Sequence, residues 1–206
     1  MNTHAQHADH VHHDPVGAKT GMWLFLFTEL LLFGGLFIIY AVYRSQYTSD
    51  FHHAAGDLNV WMGVTNTVVL LTSSLTMVLA VGALQRRNGG LAQFYLTSTM
   101  FLAGTFLLIK LFEWSAKFSH HLYPGSEHLN SLPNGEGLFF NLYFMMTGLH
   151  GIHVIIGLVV MAVVNNRIQN GTVTADNQGI LEYTGLYWHL VDLVWIFLLP
   201  LFYLTN

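Results

Sequence analysis

The chain has 206 residues, of which 53% are hydrophobic and only 9% charged, and its net charge is −4. A soluble domain carries about 25% charged residues, so this deficit and a mean hydropathy of +0.47 point to an integral membrane protein. The small net charge and the lack of any basic block exclude a nucleic-acid partner. The absence of cysteine excludes disulfides, iron–sulfur ligation and thiolate zinc sites.

Residues 1–20, MNTHAQHADHVHHDPVGAKT, read as a polar tail without the apolar core of a signal peptide. Five of the first thirteen residues are histidine. Such a tract can bind metal weakly, but a disordered terminus is the simpler reading. Residues 21–206 read as one transmembrane domain, with apolar runs at about 21–43, 60–84, 91–112, 138–164 and 180–204. A helix rises about 1.5 Å per residue, so each run is long enough to cross a hydrocarbon core of about 30 Å. Backbone groups in lipid must pair within the chain, so each run should be a helix. The fold class expected is all-α: a multi-pass membrane protein built as a bundle of five transmembrane helices. The runs are apolar nearly all round, so periodicity adds nothing. No internal repeat is evident.

Between the runs lie polar loops. The first, 44–59, holds His52 and His53; the longest, 115–137, is broken by Pro124, Gly125, Pro133, Asn134 and Gly135. One side of the membrane collects Lys19, Arg86, Arg87 and Arg167. The other has Arg44 and Lys117 among Asp50, Asp57, Glu127 and Glu136. This bias puts the N-terminus in the cytoplasm and the C-terminus outside. The sequon at Asn170 would then face inward, which discounts it as a glycosylation site.

Polar residues inside the apolar runs carry the functional signal. Glu29 lies about 12 Å into the first run. A charge at mid-membrane costs about 2.5–3.5 kcal/mol on insertion scales, so Glu29 must face protein or water or be protonated. It reads either as a proton-linked carboxyl or polar anchor, or as a structural hydrogen bond between helices. His150 and His153 are three residues apart, which sets both on one face of the fourth helix. An H-x-x-H pair can bind a metal only with further ligands, and Glu29, His189 and Asp192 are the only plausible partners. Binding a lipid headgroup or pairing with Glu29 fits the composition better. His189 and Asp192 are also three apart on the last helix, with Trp188 and Trp195 beside Asp192. A His–Asp pair can fix a tautomer, but packing between helices is the plainer use. At the outer end of the third helix, Lys110, Glu113 and Lys117 have ion-pair spacing, and Lys110 is long enough to snorkel to the interface.

Taken together and in order, these stretches resemble subunit III of the haem–copper respiratory oxidases over nearly the whole chain from Gly21 onward. The first helix has GMWLFLFTELLLF around Glu29, and the second NTVVLLTSS from Asn66 to Ser74. The third has Phe112-Glu113-Trp114, the fourth T-G-x-H-G-x-H-V from Thr147 to Val154, and the fifth Y-W-H-x-x-D-x-V-W from Tyr187 to Trp195. Many family members have seven helices; this chain looks like the shorter prokaryotic form that lacks the first two. Leu190 stands where the family usually has Phe.

The resemblance implies an accessory subunit of a proton-pumping terminal oxidase of the aerobic respiratory chain, in the bacterial inner (plasma) membrane. It implies no catalytic residue, metal or redox centre in this chain. Haem and copper would sit in the catalytic partner, with subunits I and II and membrane phospholipids as partners. Carried over, Glu29 is the buried or proton-uptake carboxyl. His150, His153 and Glu113 are lipid-binding or polar cleft residues. Asn66, Trp188, His189, Asp192 and Trp195 pack the helices. Two other readings are an accessory subunit of a nitric oxide reductase and a stand-alone five-helix transporter; the transporter should show broken helices or a repeat, and neither is seen.

Overall fold

The computed structural model describes residues 15–204, so residues 1–14, with the five histidines of the tail, lie outside the described residues. Seven helices are found among the described residues: α1 (Pro15–Gln46), α2 (Thr48–Gly56), α3 (Val60–Gln85), α4 (Gly89–Ser119), α5 (Glu127–Ser131), α6 (Asn134–Gln169) and α7 (Gly179–Tyr203). Five of them, α1, α3, α4, α6 and α7, are long and apolar enough to cross a membrane. The class is all-α, as the apolar runs require.

Most of the long helices extend past the apolar runs that predict them, because hydrogen bonding continues into polar sequence at either end. α1 begins at Pro15, six residues before the expected boundary. Proline suits a first helical position, where its missing N–H would have no partner in any case. Two stretches expected as loops contain the short helices α2 and α5. α5 is capped by Ser126, whose side chain accepts from the Leu129 amide at 3.1 Å. α3 and α4 are capped by Asn59 and Asn88.

Three helices end the same way. α3, α4 and α6 are each followed by a left-handed residue, at Arg87 (φ 59°), His121 (φ 56°) and Gly171 (φ 69°). Each is closed by a bond back across the last turn: Asn88 to Ala83, Leu122 to Lys117 and Thr172 to Arg167, all at 3.0 Å. Only one of the three uses glycine for that conformation.

α3 and α4 pair as antiparallel neighbours, and α6 and α7 complete the core. Its largest buried side chains are aromatic, among them Trp188, Trp195, Tyr143, Tyr203, Phe106 and Phe139. α7 has half of its apolar window buried, against 11% for α1. α1 is held along one stripe, where Leu26, Phe33 and Tyr40 are buried at seven-residue spacing. Near its C-terminal end the Tyr40 hydroxyl donates to the Leu201 carbonyl.

Two expectations at the C-terminal end of α4 are corrected. Lys110 does not snorkel; it points inward and is buried. Lys117 does not pair with Glu113, whose oxygens are taken by other donors, and instead donates to the Asp57 carbonyl at 2.5 Å. That bond ties the end of α2 to α4.

Candidate functional site

Polar groups meet at three places inside the bundle. The first lies between α1 and α6. His153 Nε2 is 2.9 Å from Glu29 Oε2, and His153 Nδ1 is 2.8 Å from the Leu149 carbonyl. A carbonyl only accepts, so Nδ1 carries a hydrogen. Nε2 and the carboxyl then share one proton, as imidazolium with carboxylate or as imidazole with carboxylic acid. Either way the pair has no net charge, which is what bilayer depth demands. Phe33 packs edge-on against the imidazole at 5.2 Å, and the Tyr187 hydroxyl donates to the His153 carbonyl at 3.0 Å. The side chains of His153 and Glu29 remain 11% and 15% exposed, so the pair is not sealed. It can hold a proton and exchange it.

The second place joins α4, α6 and α7. Lys110 Nζ donates to Tyr203 Oη at 2.8 Å, to Tyr143 Oη at 3.0 Å and to Glu113 Oε2 at 3.1 Å. Both tyrosine hydroxyls donate to Glu113 Oε1, at 2.6 Å from Tyr203 and 2.9 Å from Tyr143. Every ammonium hydrogen and both carboxylate oxygens are therefore engaged. The Lys110 ammonium also sits 5.1 Å from the Trp195 ring centroid. This is a closed, neutral cage, and it places Glu113 in the interior of the bundle.

His150 lies two helical turns along α6 from Tyr143. It is fully buried, with both ring nitrogens unpartnered. Phe106 meets it edge-on at 5.5 Å and Trp195 lies against it at 5.3 Å. His150 and His153 therefore serve different neighbours despite their spacing: His150 faces α4 and α7, and His153 faces α1. Among the described residues, no group of three or more histidines and carboxylates is arranged to hold a metal ion.

The third place is the seam between α3 and α7. Trp188 Nε1 donates to Ser73 Oγ at 3.1 Å, Trp195 Nε1 to Thr67 Oγ1 at 3.0 Å, and Ser74 Oγ lies 2.7 Å from His189 Nδ1. His189 thus pairs with serine across the seam and not with Asp192 on its own helix. Asp192 is buried on α7 with Ser74 as its polar neighbour, and Asn66 is buried on α3.

The cage residues Tyr143 and Tyr203 escape sequence reasoning. They lie 33 and 93 positions from Lys110, in aromatic runs that read as core or interface packing. The serine and threonine partners on α3 lie within the NTVVLLTSS stretch from Asn66 to Ser74, which marks them without saying what they meet.

A family model described as cytochrome c oxidase subunit III matches residues 1–206, the whole chain. The chain is 29% identical over 196 residues to the heme-copper oxidase subunit I+III of Aeropyrum pernix, which is 91% of this chain and 22% of that protein. It is 30% identical over 204 residues to the cytochrome bo(3) ubiquinol oxidase subunit 3 of Pseudomonas aeruginosa, covering 96% of this chain and 90% of the relative. To the cytochrome c oxidase subunit 3 of Synechocystis it is 32% identical over 202 residues, 95% of this chain and 79% of the relative.

Proposed function

The chain belongs to the cytochrome c oxidase subunit III family, and from that membership we propose that it is the accessory subunit of a proton-pumping terminal oxidase. Oxygen is reduced on the catalytic partner, which holds the haem and copper. This chain packs beside subunits I and II and keeps that machinery stable and supplied with protons. The A. pernix relative, named as subunits I and III in one chain, supports direct partnership with subunit I. Relatives named for ubiquinol and for cytochrome c oxidases match alike, so the role is common to both electron donors. Five apolar spans support a multi-pass place in the bacterial plasma membrane, with the N-terminus inside as the loop charges favour.

The observation that carries this reading is the Glu29–His153 contact of 2.9 Å. A pair that stays neutral wherever its proton sits can pass that proton between imidazole and carboxyl at bilayer depth without a stranded charge. Its partial exposure between α1 and α6 also gives phospholipid headgroups or water access to it. Replacing the carboxyl, Glu29→Ala, should leave the haem spectra of the purified complex intact. It should slow proton uptake or shorten the number of turnovers before inactivation. Loss of the haem signals, or proton uptake and lifetime equal to those of the parent, would refute this role.

A further inference from the structure

Helix α1 does not close onto α6 and α7 along its whole length. On the N-terminal side of Glu29 a cavity of about 250 Å³ opens between the three helices, with Met22, Phe25, Ile156, Val160, Thr184 and Tyr187 among its walls. Such a gap leaves the spacing of α1 and α6 to the side chains that bridge it. The spacing matters, because Glu29 comes from α1 and His153 from α6. Within α6 the imidazole is already fixed, since its Nδ1 is held by the Leu149 carbonyl at 2.8 Å. What remains to be set is how far the α6 backbone stands from α1.

Tyr187, on α7, spans that distance. Its hydroxyl donates to the His153 carbonyl at 3.0 Å, using a lone pair that the helical hydrogen bond leaves free. Its ring centroid lies 5.9 Å from that of Phe25, and Phe25 is one turn from Glu29 on α1. One side chain of α7 therefore touches the backbone of the residue that carries the imidazole and the turn next to the carboxyl. Gly157 lets it come close. One turn beyond His153, a Cβ at Gly157 would fall 3.4 Å from Tyr187 Cε1. Tyr187 is only 6% exposed, so its ring is held in place. Phe33 adds a ring contact from α1 to the imidazole, without a directional bond.

We propose that Tyr187 is a positioning residue that holds α1 and α6 at the separation at which Glu29 and His153 share a proton. The proposal rests on the reading of that pair as a proton site. The Tyr187 hydroxyl bonds to the His153 backbone and to neither proton-sharing atom, so it acts through the spacing. Without the hydroxyl the ring still packs on Phe25, but its tie to α6 is gone. Helix α1, with only 11% of its apolar window buried, is then free to move away. The carboxyl and the imidazole part, and a charge left on either at bilayer depth is costly.

Pulsed electron spin resonance on the whole oxidase complex tests the spacing. The chain has no cysteine, and nitroxides on Lys19→Cys and Gln169→Cys would mark exposed positions of α1 and α6. In Tyr187→Phe the distance distribution should lengthen and broaden. Proton uptake should slow by about two- to tenfold, as the loss of one hydrogen bond gives. Added to Glu29→Ala, Tyr187→Phe should slow uptake no further. Phe25→Ala removes the contact on the α1 side and keeps the hydroxyl. It should widen the distribution in the same way, and it decides the matter should Tyr187→Phe not assemble. A parent-like distribution in these variants would overturn the positioning role, whatever uptake does. So would a loss in Tyr187→Phe that adds in full to that of Glu29→Ala. If Glu29→Ala leaves uptake unchanged, the proton reading of the pair fails, and the label distances still decide whether Tyr187 sets the spacing.

Discussion

At Gly157 there is room for a hydrogen and little else. A Cβ there would fall 2.9 Å from both Cε3 and Cζ3 of Trp188. The indole cannot step back freely, because it is fully buried and its Nε1 is bound to Ser73 at 3.1 Å. Gly157→Ala should therefore push α6 from α7 and destabilise the subunit by about 1–3 kcal/mol, the usual effect of overpacking. Gly151, six residues earlier on the same helix, serves as the control, because a methyl group there would meet nothing within 4 Å. The measurement is the temperature at which the subunit dissociates from the detergent-solubilised complex. It should fall for Gly157→Ala and stay put for Gly151→Ala; equal behaviour of the two would remove the packing argument. The same one-residue resolution applies to the histidines. Their placement three apart says that both leave α6 on one side. Only the neighbours decide that one meets a carboxyl and the other meets aromatic rings.

Helix α4 is anchored by an ion pair that lies three residues apart along its own length and is completed by tyrosines from α6 and α7. The pair is buried, with side-chain exposures of 8% for Lys110 and 3% for Glu113. Removing one partner strands the other, which typically costs about 3–5 kcal/mol, whereas removing both together costs much less. Glu113→Leu alone should thus loosen the α4–α6–α7 junction more than Glu113→Leu combined with Lys110→Met. A double-mutant cycle on subunit dissociation temperature reads the difference; strictly additive losses would show that the two groups act separately. The expectation that Lys110 reaches the interface fails for a reason that belongs to this scale. Snorkelling is favoured only when nothing better lies inward, and three oxygen acceptors do.

For the whole molecule, α1 is the least buried of the five spans, touching α6 and α7 along one stripe. Most of its large apolar side chains, Leu24, Phe27, Leu31 and Ile38 among them, face outward, as a helix surrounded by hydrocarbon allows. The loop charges predict an orientation for the bundle, and the chain has no cysteine of its own to confuse a labelling test. Cysteines placed singly at exposed positions between the spans, Asn177→Cys and Glu127→Cys, should label oppositely. A membrane-impermeant maleimide should reach Glu127→Cys in intact cells and Asn177→Cys only after permeabilisation. The reverse pattern would invert the topology read from Lys and Arg.

The number of spans and the all-helical class were legible in the residue order, because the need to bury backbone hydrogen bonds in hydrocarbon acts on each apolar run separately. So was the identity of most of the polar residues that matter, since a Glu, His or Asp inside such a run stands out against its neighbours. What each of them touches was not legible. Glu29 meets His153 across 124 positions, and Ser74 meets His189 across 115. Hydropathy is a local property, whereas a hydrogen bond between helices depends on their register and rotation. Those are set by how Gly63, Gly157 and the aromatic core let the helices approach. The sealed Lys110–Glu113 cage and the open Glu29–His153 pair are therefore products of the tertiary packing.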